Sequence, residues 1–242
     1  MKLGIMQPYF VPYIGYWQLM NLVDQYVIYD DVNFIKRGWI NRNRILVNGT
    51  PKYFNVPILG ASQNLLIHEI RVNHDAVTIN KKLRCIEEAY RRAPFYECVY
   101  PMIEDIMLYE EDNIAKYIDH SFRVICEYLD IQTKLILSSD LKKDNTLRGQ
   151  DKILAICRLL NATEYYNAIG GQELYSFEAF KAQGIQNPVS VHPQTSEIKI
   201  IISASGNIKR YNRSDCMLRL ITFMPYTVGE YTVCEIIFRH NI

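Results

Sequence analysis

The 242-residue chain has no apolar run near the ~18 residues a membrane-spanning helix needs. It therefore predicts no membrane span. Behind Met1-Lys2-Leu3-Gly4-Ile5 there is no long apolar leader and no small-residue cleavage site, so the expected location is cytoplasmic. Charge of one sign is also missing. Lys and Arg number 27 against 26 Asp and Glu, for a net +1. No global field draws such a chain to nucleic acid or membrane. None of the six cysteines forms a Cys-x-x-Cys pair, and no Cys/His cluster has zinc-site spacing. They are expected to be reduced core thiols, and no metal-ligating residues are assigned. Also absent are a Walker loop, H-E-x-x-H, internal repeats and low-complexity tracts. The five histidines assemble no Ser-His-Asp or Cys-His triad, and His74 beside Asp75 reads as a surface pair.

What is present suits one α/β domain. Hydrophobic residues make up 49% and charged residues 22%, enough to bury a core without staples. Lys2 to Met6 reads as a buried strand, Gln7 to Pro12 as a proline-bounded loop, and Tyr13 to Leu22 as a helix. Gln25 to Val32 reads as a second strand, rich in β-branched and aromatic residues. Strand, helix and strand in about thirty residues make a βαβ unit, which implies a parallel sheet. Asn48-Gly49 predicts a hairpin turn, and Leu65 to Val72 another strand. Helices are expected over Ala76 to Arg92, Tyr100 to Tyr109, Asp112 to Leu129 and Asp151 to Leu160. Strands are expected over Thr133 to Leu137 and Glu164 to Ala168. The predicted fold class is α/β, a mainly parallel sheet flanked by helices.

Two segments concentrate polar and aromatic chemistry. The first is Gln7-Pro8-Tyr9-Phe10-Val11-Pro12-Tyr13-Ile14-Gly15-Tyr16, in the first strand-to-helix turn. Ligands of open α/β sheets bind outside the carboxyl ends of strands. Gly15 permits close backbone approach, and free helix-start amides favour an anion. Gln7, Tyr9, Tyr13, Gly15 and Tyr16 are therefore candidate ligand-binding residues. Nucleotidylyl transferases of the HIGH superfamily carry His-x-Gly-His at this place, and Tyr13-Ile14-Gly15-Tyr16 resembles that layout with both histidines replaced. Tyrosine can donate a hydrogen bond but carries no positive charge near neutral pH.

The second segment follows the second strand. Asp30 and Asp31 are candidate catalytic residues: one or other acts as a general base, or holds a ribose hydroxyl or a Mg²⁺ ion. Asn33, Arg37, Trp39, Asn41, Arg42 and Arg44 then mix cations, amides and an aromatic, which suits a phosphate-bearing ligand and stacking on a base or sugar. Gln7, Tyr13, Asp30 or Asp31, and at least one of Arg37, Arg42 and Arg44 should converge on one concavity. Ser138-Ser139 and Gly170-Gly171, each after a strand, are weaker candidates for holding a ligand.

Together these segments resemble the WbqC-like protein family. Its Q-P-Y-F-x-P-Y-I-G-Y run matches Gln7 to Tyr16, its V-x-x-D-D-V-x-F strand matches Val27 to Phe34, and its W-x-N-R-N-x-I segment matches Trp39 to Ile45. The likeness implies a role among genes for surface glycans such as O-antigen or capsule. It suggests a transferase acting on a nucleotide-linked sugar or its acyl or aminoacyl donor. The alternative is a non-catalytic nucleotide- or sugar-binding scaffold. The implied partner is a small, phosphate-bearing molecule and not nucleic acid; Mg²⁺ is the one cofactor suggested. The family's L-S-I-I-D segment has no counterpart after Gly184-Ile185-Gln186. That implies a WbqC-like domain over 1–186 and a divergent or frameshifted tail over 187–242.

Overall fold

In a computed structural model of the chain, the expected first strand forms over Lys2–Met6 (β1). The structure describes residues 1–168, 174–191, 227–228 and 231–232. Helix Ile14–Leu22 (α1) leads to strand Gln25–Ile28 (β2), which pairs with β1 in parallel, so the predicted βαβ unit is present. The chain then leaves the sheet. Arg42–Val47 (β3) and Thr50–Asn55 (β4) form an antiparallel hairpin. Its Asn48-Gly49 turn has positive φ at both residues, 52° and 73°, the tight geometry that this dipeptide favours. Ile58–Leu59 (β5) pairs with Arg71–Val72 (β6). Helices Ala76–Tyr90 (α2), Tyr96–Leu108 (α3) and Ile114–Leu129 (α4) follow. The chain re-enters the sheet at Lys134–Leu137 (β7), then runs through Gly149–Leu159 (α5), Glu164–Ala168 (β8), Phe177–Ala182 (α6) and Gln186–Val191 (β9). A short antiparallel pair, Thr227–Val228 (β10) and Tyr231–Thr232 (β11), completes the described elements.

The main sheet has the order β7-β2-β1-β8-β9, and every pairing is parallel. Its strands taken in chain order run 3-2-1-4-5, the doubly wound arrangement that reverses beside the first strand. The α/β class with helices on both faces is thus observed. Leu3, Ile5, Val27 and Tyr165 face Ile153, Ile156, Cys157 and Phe180 of α5 and α6. Tyr26, Ile28 and Tyr166 belong to the larger core with Trp17, Leu19, Met20, Ile118, Phe122 and Ile125 of α1 and α4. Neighbouring residues of each strand go to opposite faces. Gly4 makes this possible on the α1 side. A Cβ there would stand 3.1 Å from the Tyr26 ring and 3.4 Å from Val23, so any side chain here would press on Tyr26 and glycine eases the close approach of helix and strand.

Several expected elements differ. β2 stops at Ile28 rather than Val32, because Asp30 N–H turns back to the Ile28 carbonyl. The strand expected over Leu65 to Val72 is mostly a 3-10 turn, Ile67–Glu69. There the Glu69 carboxylate accepts from Leu66 N–H at 2.6 Å, a local bond that competes with ladder pairing. α3 begins at Tyr96, four residues early, and takes Pro101 inside. Cys126 and Cys157 are buried free thiols, but Cys98 is exposed on α3 and is no core residue. His74 pairs with Asp112 at 3.5 Å, whereas Asp75 caps α2 through Thr78 N–H. β9 carries the main sheet past residue 186, and Ile200, Ile201 and Ile202 of the expected tail lie outside the described residues.

Asn113 fixes α4. Its side-chain oxygen accepts from Ala115 and Lys116 N–H, and its amide donates to the His68 carbonyl at 2.6 Å. Capping is worth about 0.5–2 kcal/mol, and a half-buried hydrogen bond roughly another 1 kcal/mol. Asn113→Ala should therefore lower unfolding stability by about 1.5–3 kcal/mol in urea titration. A loss under about 0.5 kcal/mol would show that the cap does not anchor the helix.

Candidate functional site

Tyr29 N–H donates to the Met6 carbonyl at 2.8 Å, so Gln7 and Asp30 leave adjacent strand ends on the carboxyl side of the sheet. Here Asp30 is 0% exposed and Asp31 6%. A buried carboxylate must be hydrogen-bonded or paired, and the two solve this differently. Asp30 accepts from Ser139 twice, at 2.9 Å from the backbone N–H and 2.6 Å from Oγ. Asp31 faces two ammonium groups, Lys143 Nζ at 2.7 Å and Lys152 Nζ at 2.9 Å. Both lysine side chains are 2% exposed. Lys152 also donates to the Asp31 carbonyl at 2.7 Å, and Lys143 to the Ser138 carbonyl.

These surroundings push the neighbouring carboxyls apart. Burial raises Asp30 above the usual carboxylate range, and the Ser139 bonds only partly oppose it. Burial works to raise Asp31 too, but the hydrogen bonds from Lys143 and Lys152 prevail and lower it. Two carboxyls with opposed proton affinities are how one site divides acid–base roles. Asp30 is the better base, and it touches Ser139, whose residue is exposed at the end of β7. Asp31 is a fixed anion.

The Gln7 to Tyr16 turn is mostly packed inward. Tyr16 is 1% exposed, and its hydroxyl donates to the Gln7 carbonyl at 3.2 Å. Tyr9 and Tyr13 pack on it with ring centroids 5.2 and 5.7 Å away. A Cβ at Gly15 would lie 2.4 Å from the Tyr13 ring, so the missing side chain makes room for Tyr13. Val11 has φ 42°, a strained conformation for a β-branched residue. Asn43, the second asparagine of the cationic segment, holds it by donating to the Phe10 and Val11 carbonyls at 3.3 and 2.5 Å.

Arg42 and Arg44 lie on the hairpin, and the side-chain bonds they make stay within the segment from Arg37 to Tyr53. Arg42 donates through Nε to the Gly38 carbonyl at 2.9 Å and through Nη2 to Arg37. Arg44 donates to the Tyr53 hydroxyl at 3.2 Å. Asn41 donates to the Val56 carbonyl and Asn33 to that of Gln63, so both hold loops. Phe10 N–H donates to the Trp39 carbonyl at 3.0 Å, tying turn to hairpin. Arg37 is exposed with φ 61°. The candidates thus fall into three groups: Asp30, Asp31, Ser138 and Ser139; the tyrosine turn; and the hairpin with Trp39, Arg42 and Arg44. Gly170 and Gly171 lie outside the described residues. A Mg²⁺ ion does not suit the acidic pair, because Asp31 already faces two like-charged ammoniums. No cluster of three or more His, Cys, Asp or Glu among the described residues could hold a metal. Among those residues no helix is long and apolar enough to cross a membrane.

Sequence reasoning missed Lys143 and Lys152. For Lys152 a clue existed: it stands one turn before Ile156, on the apolar side of α5, where an unpaired charge is costly.

Residues 7–195 match the WbqC-like protein family. Among curated proteins, the uncharacterized protein Rv1507c of Mycobacterium tuberculosis is 30% identical over 167 residues, covering 68% of this chain and 71% of the relative. No solved structure matches.

The Asp31 cluster makes an ordered prediction. Asp31→Asn strands two buried ammoniums and should cost about 3–5 kcal/mol. Lys152→Met leaves the Asp31–Lys143 pair and should cost less. Asp31 is lowered in the fold, so its contribution is complete above its unfolded pKa of about 3.9 and vanishes as pH falls through the folded value. Acidification below about pH 4 should thus destabilise the wild type more steeply than Asp31→Asn. Equal slopes in urea titrations at several pH values would sink this account.

Proposed function

Since the chain belongs to the WbqC-like protein family, we propose that it is an enzyme of bacterial surface-polysaccharide biosynthesis, serving O-antigen or capsule. It acts on a nucleotide-linked sugar or on the acyl or aminoacyl donor for that sugar, as a transferase. The observation that carries this reading is Asp30, a buried, proton-avid carboxylate whose partner Ser139 opens to solvent at the carboxyl edge of the sheet. In an acyl transfer the attacking sugar hydroxyl or amine bonds to the donor's carbonyl carbon and loses its proton, while the bond from that carbon to the donor's carrier breaks and the carrier leaves protonated. Ser139 Oγ, which donates to Asp30 at 2.6 Å, takes the proton of the attacking group as it passes its own to Asp30, and the same proton returns to the departing carrier.

One observation favours the second reading, a non-catalytic nucleotide- or sugar-binding scaffold. Both Asp30 oxygens already accept from Ser139, and Asp31 is committed to two lysines. A melting-temperature screen against nucleotides, nucleotide sugars, acyl-CoA and aminoacyl donors separates the two. Ligand at 100 times its Kd adds about 2.7 kcal/mol to stability. With a ligand in hand, Asp30→Asn should keep binding and lose roughly 10²–10⁴-fold in turnover. The acid limb of the wild-type rate should lie above about pH 4, since Asp30 is raised. Turnover unchanged in Asp30→Asn removes Asp30 from the chemistry. Binding without turnover against every donor leaves the scaffold.

The boundary expected at residue 186 moves outward with β9 and the family match, and the residues after 195 are proposed to be a divergent or frameshifted tail. Limited proteolysis should cut first between Val191 and Arg219 and leave a stable N-terminal fragment. A chain that resists cleavage there is a single unit to its end.

A further inference from the structure

The near-zero net charge hides a local imbalance. From Val32 to His68 the sequence has no Asp or Glu, yet it carries Lys36, Arg37, Arg42, Arg44 and Lys52. The hairpin gathers part of this charge on one face. Cross-strand partners share a face, and so do residues two apart. Arg44 is paired with Tyr53, and Arg42 stands two residues away on the same side. Ile45 and Phe54 take the opposite side and are buried, 2% and 5% exposed. The outward face therefore presents Arg42, Arg44 and a 54% exposed Tyr53. Trp39 adds a second ring, 6.4 Å from that of Tyr53.

Both guanidinium groups crowd these rings. Arg42 Cζ lies 4.4 Å from the Tyr53 centroid and 5.9 Å from that of Trp39; for Arg44 the distances are 5.1 and 5.5 Å. The ring faces offset some of the repulsion between the two cations. Carboxylates do not: among the described residues every ion pair lies elsewhere, and neither arginine takes part in one. The backbone bonds of Arg42 to the Arg37 and Gly38 carbonyls hold its fork in place before any ligand arrives. A preset pair of guanidiniums beside two aromatic rings offers phosphate oxygens directional bonds and a flat ring a stacking partner.

We infer that this outward hairpin face binds the nucleoside diphosphate of the substrate, with Arg44 on the phosphates and the base against Trp39 and Tyr53. The inference rests on the nucleotide-linked sugar reading above and gives its nucleotide a place. A small ligand fits the observations better than a polymer, because the cations at the rings number two and the patch is one hairpin wide.

The chain has two tryptophans, and Trp17 is 2% exposed in the core. Fluorescence of Trp39 can therefore report binding. The experiment titrates UDP, ADP, GDP and inorganic pyrophosphate into wild type, Arg44→Gln, Arg44→Lys and Trp39→Phe, with melting temperatures recorded alongside. At least one nucleoside diphosphate should quench the wild type with a Kd tenfold or more below that of pyrophosphate. Arg44→Gln should weaken that Kd roughly 10–100-fold, Arg44→Lys less, and Trp39→Phe should abolish the quench. Melting temperatures near wild type for the free variants exclude misfolding. Pyrophosphate binding as tightly as every nucleotide overturns the stacking, and an unchanged Kd in Arg44→Gln overturns the phosphate contact. Poly(U) binding more tightly than all three diphosphates overturns the small-ligand assignment. If nucleotides raise the melting temperature of wild type and Arg44→Gln alike, with no quench, this inference fails while the proposed function stands. If no nucleotide or nucleotide sugar raises the wild-type melting temperature, both fail.

Discussion

Two carboxylates are buried side by side just beyond β2, and much of the surrounding architecture satisfies them. Asp30 draws the end of β7 inward through both donors of Ser139. Asp31 draws in Lys143 from the loop before α5 and Lys152 from α5 itself. Segments more than a hundred residues further along the chain are thus pinned to one strand end by hydrogen bonds and charge. The backbone takes part as well. The Asp30 carbonyl accepts from His68 N–H, and the His68 carbonyl accepts from Asn113, which caps α4. A hydrogen-bonded path therefore runs from α4 to β7 through Asp30. Apolar packing alone is non-directional; this path sets how the outer helices register with the carboxyl edge of the sheet.

The same network explains how much of the molecule was legible in the sequence. β1, α1 and β8 follow from apolar periodicity and loop chemistry, because their neighbours agree with their local preference. β8 forms over the residues expected for it. The segment from Leu65 to Val72 was misread because its apolar residues promise a strand, while its backbone serves Val32 and Asp30 and its Glu69 closes a turn. Such bonds to distant partners leave no periodic trace. The site divides in the same way. Asp30, Asp31, Ser138 and Ser139 could be singled out as polar residues at strand ends, where doubly wound sheets bind ligands. That Ser139 would meet Asp30 requires knowing that β7 lies beside β2, and no local pattern encodes strand order. Gly15 shows the converse: its residue type was informative, but the space it leaves is filled by Tyr13.

Strand order also has a consequence for how the chain is made. β1 lies at the middle of the sheet, and one of its two neighbours is β8, with Lys2 in register with Glu164. On the ribosome the chain emerges from its amino end at about 5–20 residues per second. Once β1 and β2 are out, one edge of β1 must wait roughly 8–30 seconds for its partner to be synthesised. During that time a short, apolar, hydrogen-bond-ready strand edge stays unpaired, the kind of edge that recruits other chains. The central place of β1 in the doubly wound order thus leaves its second edge unpaired until β8 is made, and slower elongation through the α2–α4 region would lengthen the exposure.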